Sequence, residues 1–366
     1  MLGIAEGFAA REDPRRPHAR QHKLLDILVI AFCASRCGAE SGLERAGLAW
    51  SQEEVLREFL DLEGGPPSHD TFSRVFRLLD PASLAACWQT YLDPLGAVCR
   101  GPVALDGKTL RGAHDRAAGA SPLPMVSAFA SETRLTLGPI AVEAHSNEIP
   151  AVRALLSLLS LEGCTVTLDA LPAPRETAPA LRDQGADYLL ALTGNQGTWC
   201  EDVRTLLDDA GRPVQDRAQT EDADQGRLET RAVHLVTDLT GLQEQHHWPG
   251  LACVGKLRAT REDKTTGTVQ SQERYDLLSR VRPAQEFLDT VRAHGAIENS
   301  LPGVLDVVMC EDHARARQDH APANRAMLRR MARNTIKANQ DKGSNRLNFK
   351  RAGWDDHFLR KLLAQC

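Results

Sequence analysis

Short apolar runs, each bounded by turn residues, follow one another from Pro102 onward. The first three are expected to form neighbouring strands, and after them helical and strand-like segments alternate. In order, they are Val103–Leu105, Met125–Ala130, Leu135–Glu143, a helical segment Pro150–Leu161, a strand Cys164–Leu168, a further helix and a strand Tyr188–Leu192. This order predicts an α/β domain built on a mixed sheet.

The segments on either side of this domain follow other patterns. Before it, apolar residues repeat at helical spacing in Gln21–Gly38, Gln52–Leu62 and Phe72–Leu79, which predicts a helical domain ending near Leu95. After it, strand-like runs separated by polar linkers such as Asp222–Gly226 predict a β-rich insertion. These runs are Thr230–Thr237, Leu251–Ala259 and Gln272–Leu278, and helical spacing returns over Ala284–Val308.

Charge is distributed unevenly along the chain. The segment from His313 to Cys366 carries 13 Lys and Arg against 4 Asp and Glu, a net charge of +9, although the whole chain has a net charge of −5. A polyanion is the expected partner of such a segment, because phosphate contacts release counterions. A solvated basic helix face is the alternative.

Overall composition limits the class of protein. With 42% hydrophobic and 25% charged residues, the chain has globular usage, which excludes wholesale disorder. The longest apolar run, Leu24–Cys33, contains Asp26 and is too short to cross a membrane. We therefore expect a cytoplasmic protein.

Two aspartates follow apolar strands directly, Asp106 after Val103–Leu105 and Asp169 after Val166–Leu168. The carboxyl ends of strands are where α/β proteins usually place their chemistry. Carboxylates there could hold a divalent cation such as Mg²⁺, whereas the alternative is that each aspartate caps the next turn. Lys108 and Arg111 follow Asp106 closely, but the spacing of glycines before Lys108 does not make a phosphate-binding P-loop.

A third carboxylate, Glu298, borders an apolar helical stripe made by Ile297, Leu301, Val304 and Val308. A carboxylate beside a core-facing stripe could reach the rim of a sheet and supply a further metal ligand. A surface glutamate is the alternative.

Several longer motifs occur in a fixed order along the chain. They are His22-Lys23-Leu24-Leu25-Asp26-Ile27-Leu28, Pro67-Ser68-His69-Asp70-Thr71-Phe72, Leu105-Asp106-Gly107-Lys108-Thr109-Leu110-Arg111-Gly112, Tyr188-Leu189-Leu190-Ala191-Leu192 with Gly194-Asn195-Gln196-Gly197, Gly226-Arg227-Leu228-Glu229-Thr230-Arg231, Ile297-Glu298-Asn299-Ser300-Leu301, Val304-Leu305-Asp306-Val307 with Glu311-Asp312, and Ala352-Gly353-Trp354-Asp355-Asp356. In this order the motifs resemble the DDE transposases of bacterial insertion sequences, specifically the H-repeat-associated (ISAs-type) family, over nearly the whole chain.

The resemblance implies a ribonuclease-H-like core in which Asp106, Asp169 and Glu298 bind two divalent metals, Mg²⁺ with Mn²⁺ as a substitute. It implies cleavage and strand transfer of double-stranded DNA at element ends and target, by a homodimer on DNA in the bacterial nucleoid. The candidates for DNA contacts are Lys108, Arg111, Asn195, Gln196, Arg227, Arg315, Arg317, Arg329 and Arg330.

The resemblance also implies a division of the chain into five segments. These are a helical DNA-binding domain (1–95), the first part of the catalytic core (96–196), the β-rich insertion (197–283), the core helix with the third carboxylate (284–312) and the basic C-terminal region (313–366).

Some positions depart from the family pattern and leave alternatives open. The departures are His294-Gly295-Ala296, Pro302-Gly303, Gln225 and Leu171-Pro172-Ala173-Pro174. Pro302 cannot donate a backbone hydrogen bond to the carbonyl of Glu298, so a kink is expected in that helix. An active transposase, a transposase-derived DNA-binding protein with weakened or lost catalysis, and a metal-dependent nuclease of the same fold are all consistent with the sequence.

Overall fold

The computed structural model describes residues 2–95, 99–113, 122–142, 148–169, 174–192, 197–209, 211–224, 227–339 and 343–364. In chain order the strands are β1 (Pro102–Leu110), β2 (Leu123–Ala130), β3 (Leu135–Ala141), β4 (Thr165–Leu168), β5 (Asp187–Ala191), β6 (Asp216–Asp224), β7 (Arg227–Val236), β8 (Cys253–Asp263) and β9 (Val269–Leu278). A mixed α/β architecture, as predicted, is therefore confirmed.

Helices account for most of the remaining described chain. They are α1 (Leu2–Ala9), α2 (Leu24–Arg36), α3 (Gly42–Ser51), α4 (Glu53–Arg57), α5 (His69–Leu78), α6 (Pro81–Ala85), α7 (Trp88–Leu92), α8 (Glu148–Ser157), α9 (Pro174–Asp183), α10 (Thr198–Asp208), α11 (Leu242–His246), α12 (Ala284–Gly303), α13 (Ala321–Ala338), α14 (Asn345–Trp354) and α15 (Asp356–Ala364). Among these described helices, none combines the length and the apolar character that a membrane crossing requires.

The chain forms two compact units. Unit 1 consists of Met1–Val98, Gly107–Leu159 and Ile297–Cys366, and unit 2 consists of Cys99–Asp106 and Ser160–Ala296. Each unit is assembled from separate stretches of sequence, so β1 and α12 each contribute residues to both.

Unit 2 contains a mixed sheet with the strand order β1-β4-β5-β9-β8-β7-β6. The strands β1, β4 and β5 are parallel to one another, and every later neighbour in this order is antiparallel. The predicted β-rich insertion is thus a set of long antiparallel strands that joins the sheet through β9.

The helix α12 covers one face of this sheet. Its residues Ala284, Phe287, Leu288 and Val291 share a buried cluster with sheet residues that include Leu189. At Gly255 of β8, an added Cβ would lie 2.9 Å from the Phe287 ring, so the helix packs unusually close to the strand. This packing fixes the direction in which α12 runs across unit 2.

Two segments differ from the prediction for identifiable reasons. The polar stretch that includes Asp222 forms the end of strand β6, which pairs only with β7 and is largely exposed, so it has no apolar pattern. At Pro302 the α-helix continues to Gly303, and a π-helical turn follows over Val304–Val308. A wider π turn is a known way to accommodate a disturbed helical hydrogen-bond ladder.

Unit 1 is organised around α13, whose residues are almost all buried. The Asn324 side chain donates to the carbonyls of Phe76 and Leu79 at 3.0 and 2.7 Å, which ties α13 to the end of α5. The Asn334 side chain accepts from the Thr136 amide at 2.8 Å and donates to its carbonyl at 2.6 Å, which ties α13 to β3. The basic C-terminal segment therefore supplies the central helix of unit 1.

Close backbone packing in unit 1 also explains a glycine of the longest motif. A Cβ at Gly112 would lie 2.2 Å from the carbonyl oxygen of Ala314, a contact that only backbone movement could relieve.

We expect Gly112→Ala to lower the free energy of unfolding by about 1–3 kcal/mol. Urea unfolding followed by circular dichroism measures this. The control is Gly47→Ala in α3, where a Cβ has no neighbour within 4 Å and should not destabilise; equal losses in both variants would contradict the packing argument.

Candidate active site

Asp106 and Asp169 lie side by side just past the last paired residues of two parallel strands. The predicted end of the first strand is wrong, because β1 continues through Asp106 to Leu110. In the register of β1 with β4, Leu105 pairs with Leu168, and each aspartate is the next residue of its chain. Neighbouring strands are about 4.8 Å apart, and residues in register point to the same face. The structure thus brings these two predicted carboxylates together on one face of unit 2.

The same row of the sheet contains a third aspartate. Leu168 pairs with Leu190, so Asp169 is level with Ala191 of β5, which pairs with Asp276 of β9. Asp276 is fully buried. Burial raises the pKa of this carboxyl and the Asp169 charge adds to that effect, whereas Arg274 opposes it. The row therefore reads Asp106, Asp169, Ala191, Asp276.

The Arg274 guanidinium bridges two of these carboxylates. Its Nη1 donates to Oδ2 of Asp169 at 2.9 Å, and its Nε donates to Oδ1 and Oδ2 of Asp276 at 2.9 and 3.0 Å. The Arg274 and Asp276 side chains share a face because they are two residues apart on β9. One guanidinium thus pairs with two carboxylates on the same face of the sheet.

His294 of α12 lies close to this group. Its Nδ1 and the Thr167 hydroxyl are 2.7 Å apart, and both residues are buried. Burial, together with the positive charge of Arg274, lowers the pKa of His294 to about 4, against a smaller opposing effect of Asp169. The imidazole is therefore neutral at pH 7 and adds no positive charge beside the acids.

Glu298, the third predicted carboxylate, belongs to α12 and follows His294 by four residues. It lies in the part of the helix that is assigned to unit 1. Its side chain lies outside the described part of the structure, as do residues Leu171, Pro172, Ala173 and Gln225.

Oxygen ligands from adjacent strand ends suit a hard divalent cation. Asp106 and Asp169 provide them, and about a third of the Asp169 side chain is exposed. Among the described side chains, no three His, Cys, Asp or Glu form a group that could hold a metal ion. The described donors therefore fit part of a metal site. One oxygen of Asp169 in that site already accepts a hydrogen bond from Arg274.

Three of the predicted DNA contacts lie mostly buried inside unit 1, and two of them have ion-pair partners there. The Lys108 ammonium pairs with Asp306, Glu311 and Asp312. Arg330 is 1% exposed and donates to Glu311 at 2.7 Å, and Arg329 is 4% exposed. The positive charge of Arg329 and Arg330 in α13 is therefore directed into unit 1, and a DNA contact by either residue stays a prediction.

The other predicted contacts are exposed or fall outside the described residues. Asn195 and Gln196 lie outside them. Arg227 is exposed at the start of β7 in unit 2. Within unit 1, Arg111, Arg315 and Arg317 are exposed, and Arg317 donates from Nε to the Gly112 carbonyl at 3.3 Å. Because Gly112 follows Arg111 and packs against Ala314, these three arginines lie on one surface, called here the Arg111 surface. One acidic side chain, Asp312, lies 3.9 Å from the Arg111 guanidinium there.

The sequence did not single out Arg274, Asp276 or the contact of His294 with Thr167. Arg274 and Asp276 alternate within a predicted strand, which indicates a shared face, but nothing local shows that this strand pairs with β5.

Comparison with known proteins gives consistent matches. The family described as "Transposase DDE domain" matches residues 99–335, and a family described as "DDE_Tnp_1-associated" matches residues 5–92. The putative transposase YncI of Escherichia coli O157:H7 is 33% identical over 97% of this chain and 92% of its own length. The H repeat-associated putative transposase YhhI of Escherichia coli K12 is 30% identical over 99% of this chain and 97% of its own length. An uncharacterized protein in the dhlA 3' region of Xanthobacter autotrophicus is 38% identical over 74% and 92%.

Proposed function

The chain belongs to the DDE transposase family, and from that premise we propose that it cuts and joins DNA strands at the ends of an insertion sequence. The observation that carries the proposal is the register of β1 with β4, which sets Asp106 beside Asp169 on one face of the sheet. The parallel strands β1, β4 and β5 support a ribonuclease-H-like core.

In this proposal Asp106, Asp169 and Glu298 are the residues that would hold divalent metal ions. Asp106 and Asp169 come from the sheet, and the place of Glu298 in the set rests on the family motif. Such ions would supply activation of the attacking water or DNA 3′-hydroxyl and stabilisation of the leaving 3′-oxygen in an in-line displacement at phosphorus.

Other groups of the chain make the surroundings of Asp106 and Asp169 suitable for a phosphodiester. The two strands hold the carboxylates in fixed positions, and Ala191 leaves room beside Asp169 because it has only a methyl group. The neutral His294 and Thr167 make a buried hydrogen-bonded floor that adds no charge. The negative charges nearest to a bound phosphate would then be those of Asp106 and Asp169, which the proposed metal ions would neutralise.

Double-stranded DNA is the proposed partner, bound by a homodimer that pairs two element ends. The Arg111 surface supports phosphate contacts because its guanidinium groups face solvent. The N-terminal helices are a second proposed DNA-binding region, in line with the family match over residues 5–92.

A prediction follows for salt dependence. Changing Arg111→Gln and Arg315→Gln together should weaken DNA binding for all sequences and reduce the slope of log K against log salt by about 1 per lost phosphate contact. Fluorescence anisotropy of labelled duplex at several salt concentrations measures the slope. Arg182→Gln, which removes an arginine paired with Asp187 in unit 2, is the control and should leave the slope unchanged; identical slopes in all three proteins would rule the surface out.

A second candidate function is a transposase-derived DNA-binding protein with weakened catalysis. The observation in its favour is that Arg274 pairs with Asp169, so a cation is already present on a proposed metal ligand.

One assay separates these functions. The protein is incubated with DNA carrying the sequences that flank its gene, with Mg²⁺, Mn²⁺ or EDTA. Metal-dependent cleavage at the element ends with joined products supports the transposase. Cleavage without joining indicates a nuclease, and metal-independent binding without cleavage indicates the DNA-binding protein.

A further inference from the structure

Two contacts of the Arg274 guanidinium, one with each of two aspartates, are separable. Its Nε donates to both carboxylate oxygens of Asp276, and its Nη2 is 2.9 Å from Oδ1 of that carboxylate. Only Nη1, at 2.9 Å, reaches Asp169. The contact with Asp169 can therefore break while the contact with Asp276 remains.

The two carboxylates are also unequal in their access to solvent. The Asp276 side chain is 0% exposed, whereas that of Asp169 is 32% exposed. A buried carboxylate needs a compensating charge, so Asp276 requires Arg274 permanently. Asp169 can take another cation from solvent.

We propose that Arg274 is a resident counter-cation for Asp169, which an incoming divalent metal displaces, and that Asp276 retains the displaced guanidinium. This inference rests on the proposed metal-binding role of Asp169. Arg274 and Asp276 are then positioning residues, which act on the metal through Asp169.

Charge balance supports this assignment. Before displacement, one guanidinium is shared by two aspartates. After displacement, the metal is on Asp169, and Arg274 and Asp276 form a one-to-one ion pair in the interior of unit 2. The buried Asp276 keeps its counter-ion in both states, so the exchange avoids the usual penalty for breaking a buried pair.

The expected consequence is that Arg274 competes with the metal. Removal of this competitor should tighten Mn²⁺ binding by about tenfold, the scale of one hydrogen bond to a charged group. Damage to the fold would weaken binding, so the sign of the change separates competition from a purely structural role.

The test is calorimetric titration of the full-length protein with MnCl₂ in the absence of DNA. The variants are Arg274→Gln, the double change Arg274→Gln with Asp276→Asn, which leaves no buried carboxylate unpaired, and Arg274→Lys, which keeps the charge. We expect tighter Mn²⁺ binding in the first two and near wild-type affinity in the third. Affinity that is unchanged or weaker in both neutral variants overturns the proposal, and so does an absence of detectable binding in every protein.

Two further variants, Asp106→Asn and Asp169→Asn, separate this inference from the proposed function. If Mn²⁺ binds equally well to both, the metal site is elsewhere and the proposed function loses its site. If binding requires both aspartates yet ignores Arg274, only the counter-cation inference fails.

Discussion

Replacement of Asp106 by Asn is expected to reduce DNA cleavage by about a thousandfold. The change keeps the shape of the side chain and removes the charge that would hold a metal ion beside β1. Metal ions contribute several kcal/mol to phosphoryl-transfer rates, and about 4 kcal/mol corresponds to about a thousandfold. Single-turnover cleavage of end DNA, read on a denaturing gel with Mg²⁺ present, measures the loss.

DNA affinity should survive the same change, because Asp106 repels phosphate rather than binding it. Glu262→Gln provides a matched control, since it removes an exposed carboxylate at the far end of β8. Cleavage that persists in Asp106→Asn would show that this carboxylate takes no part in the chemistry. A loss of equal size in the control would point to a general effect of charge.

Replacement of Glu311 by Gln is expected to lower the free energy of unfolding by about 3–5 kcal/mol, the range for breaking a buried ion pair from one side. The Glu311 side chain is 1% exposed and accepts from Arg330 at 2.7 Å, with Lys108 at 3.1 Å. Without its charge, two cations remain with less compensation in the interior of unit 1. Equilibrium unfolding in urea measures the change.

Surface geometry supplies the control for this prediction. Glu53→Gln breaks an exposed pair with Arg57 in α4 and should cost about 0.5 kcal/mol or less. The double change of Glu311→Gln with Arg330→Met should cost less than the sum of the two single changes, because it removes both charges. Equal costs for Glu311→Gln and Glu53→Gln would mean that burial of the pair is unimportant.

The same pair predicts a dependence on pH. Burial raises the pKa of Glu311, but the charges of Arg330, Lys108 and Arg329 outweigh it, so the pKa lies below its ordinary value. A depressed folded-state pKa adds stability above the unfolded pKa, and that stability is lost as pH falls through the folded pKa. The advantage of wild type over Glu311→Gln should therefore shrink in acid.

Local patterns were enough to predict the mixed sheet and the apolar runs that lead into Asp106 and Asp169, because apolar runs and turn residues are read directly from neighbours in sequence. The end of β1 was not predicted, since the strand continues through Asp106 to Leu110. The position of Asp276 was not predictable in this way. It depends on the pairing of β9 with β5. These strands are separated in sequence by residues 192–268, and register between distant strands is set by packing rather than by local pattern.

The basic segment shows a different limit. A count of charges in residues 313–366 does not reveal which way the side chains point. In the structure the guanidinium groups of Arg330 and Arg333 are buried, the first against Glu311 and the second over the Phe129 ring. The sequence predicts a binding surface from these positive charges, but in the structure these two side chains take part in internal packing.

Unit 1 is built from N-terminal and C-terminal parts of the chain, which determines what a truncated copy of the protein would lack. Its central helix α13 comes from the C-terminal part of the chain, whereas α2 and α5, which pack with it, come from the N-terminal part. A copy that acquires a stop codon shortly after Ala296 still encodes both stretches of unit 2 but lacks α13. Its N-terminal helices are then made without the helix that buries them, so we expect the shortened product to be degraded rather than to persist as a folded fragment.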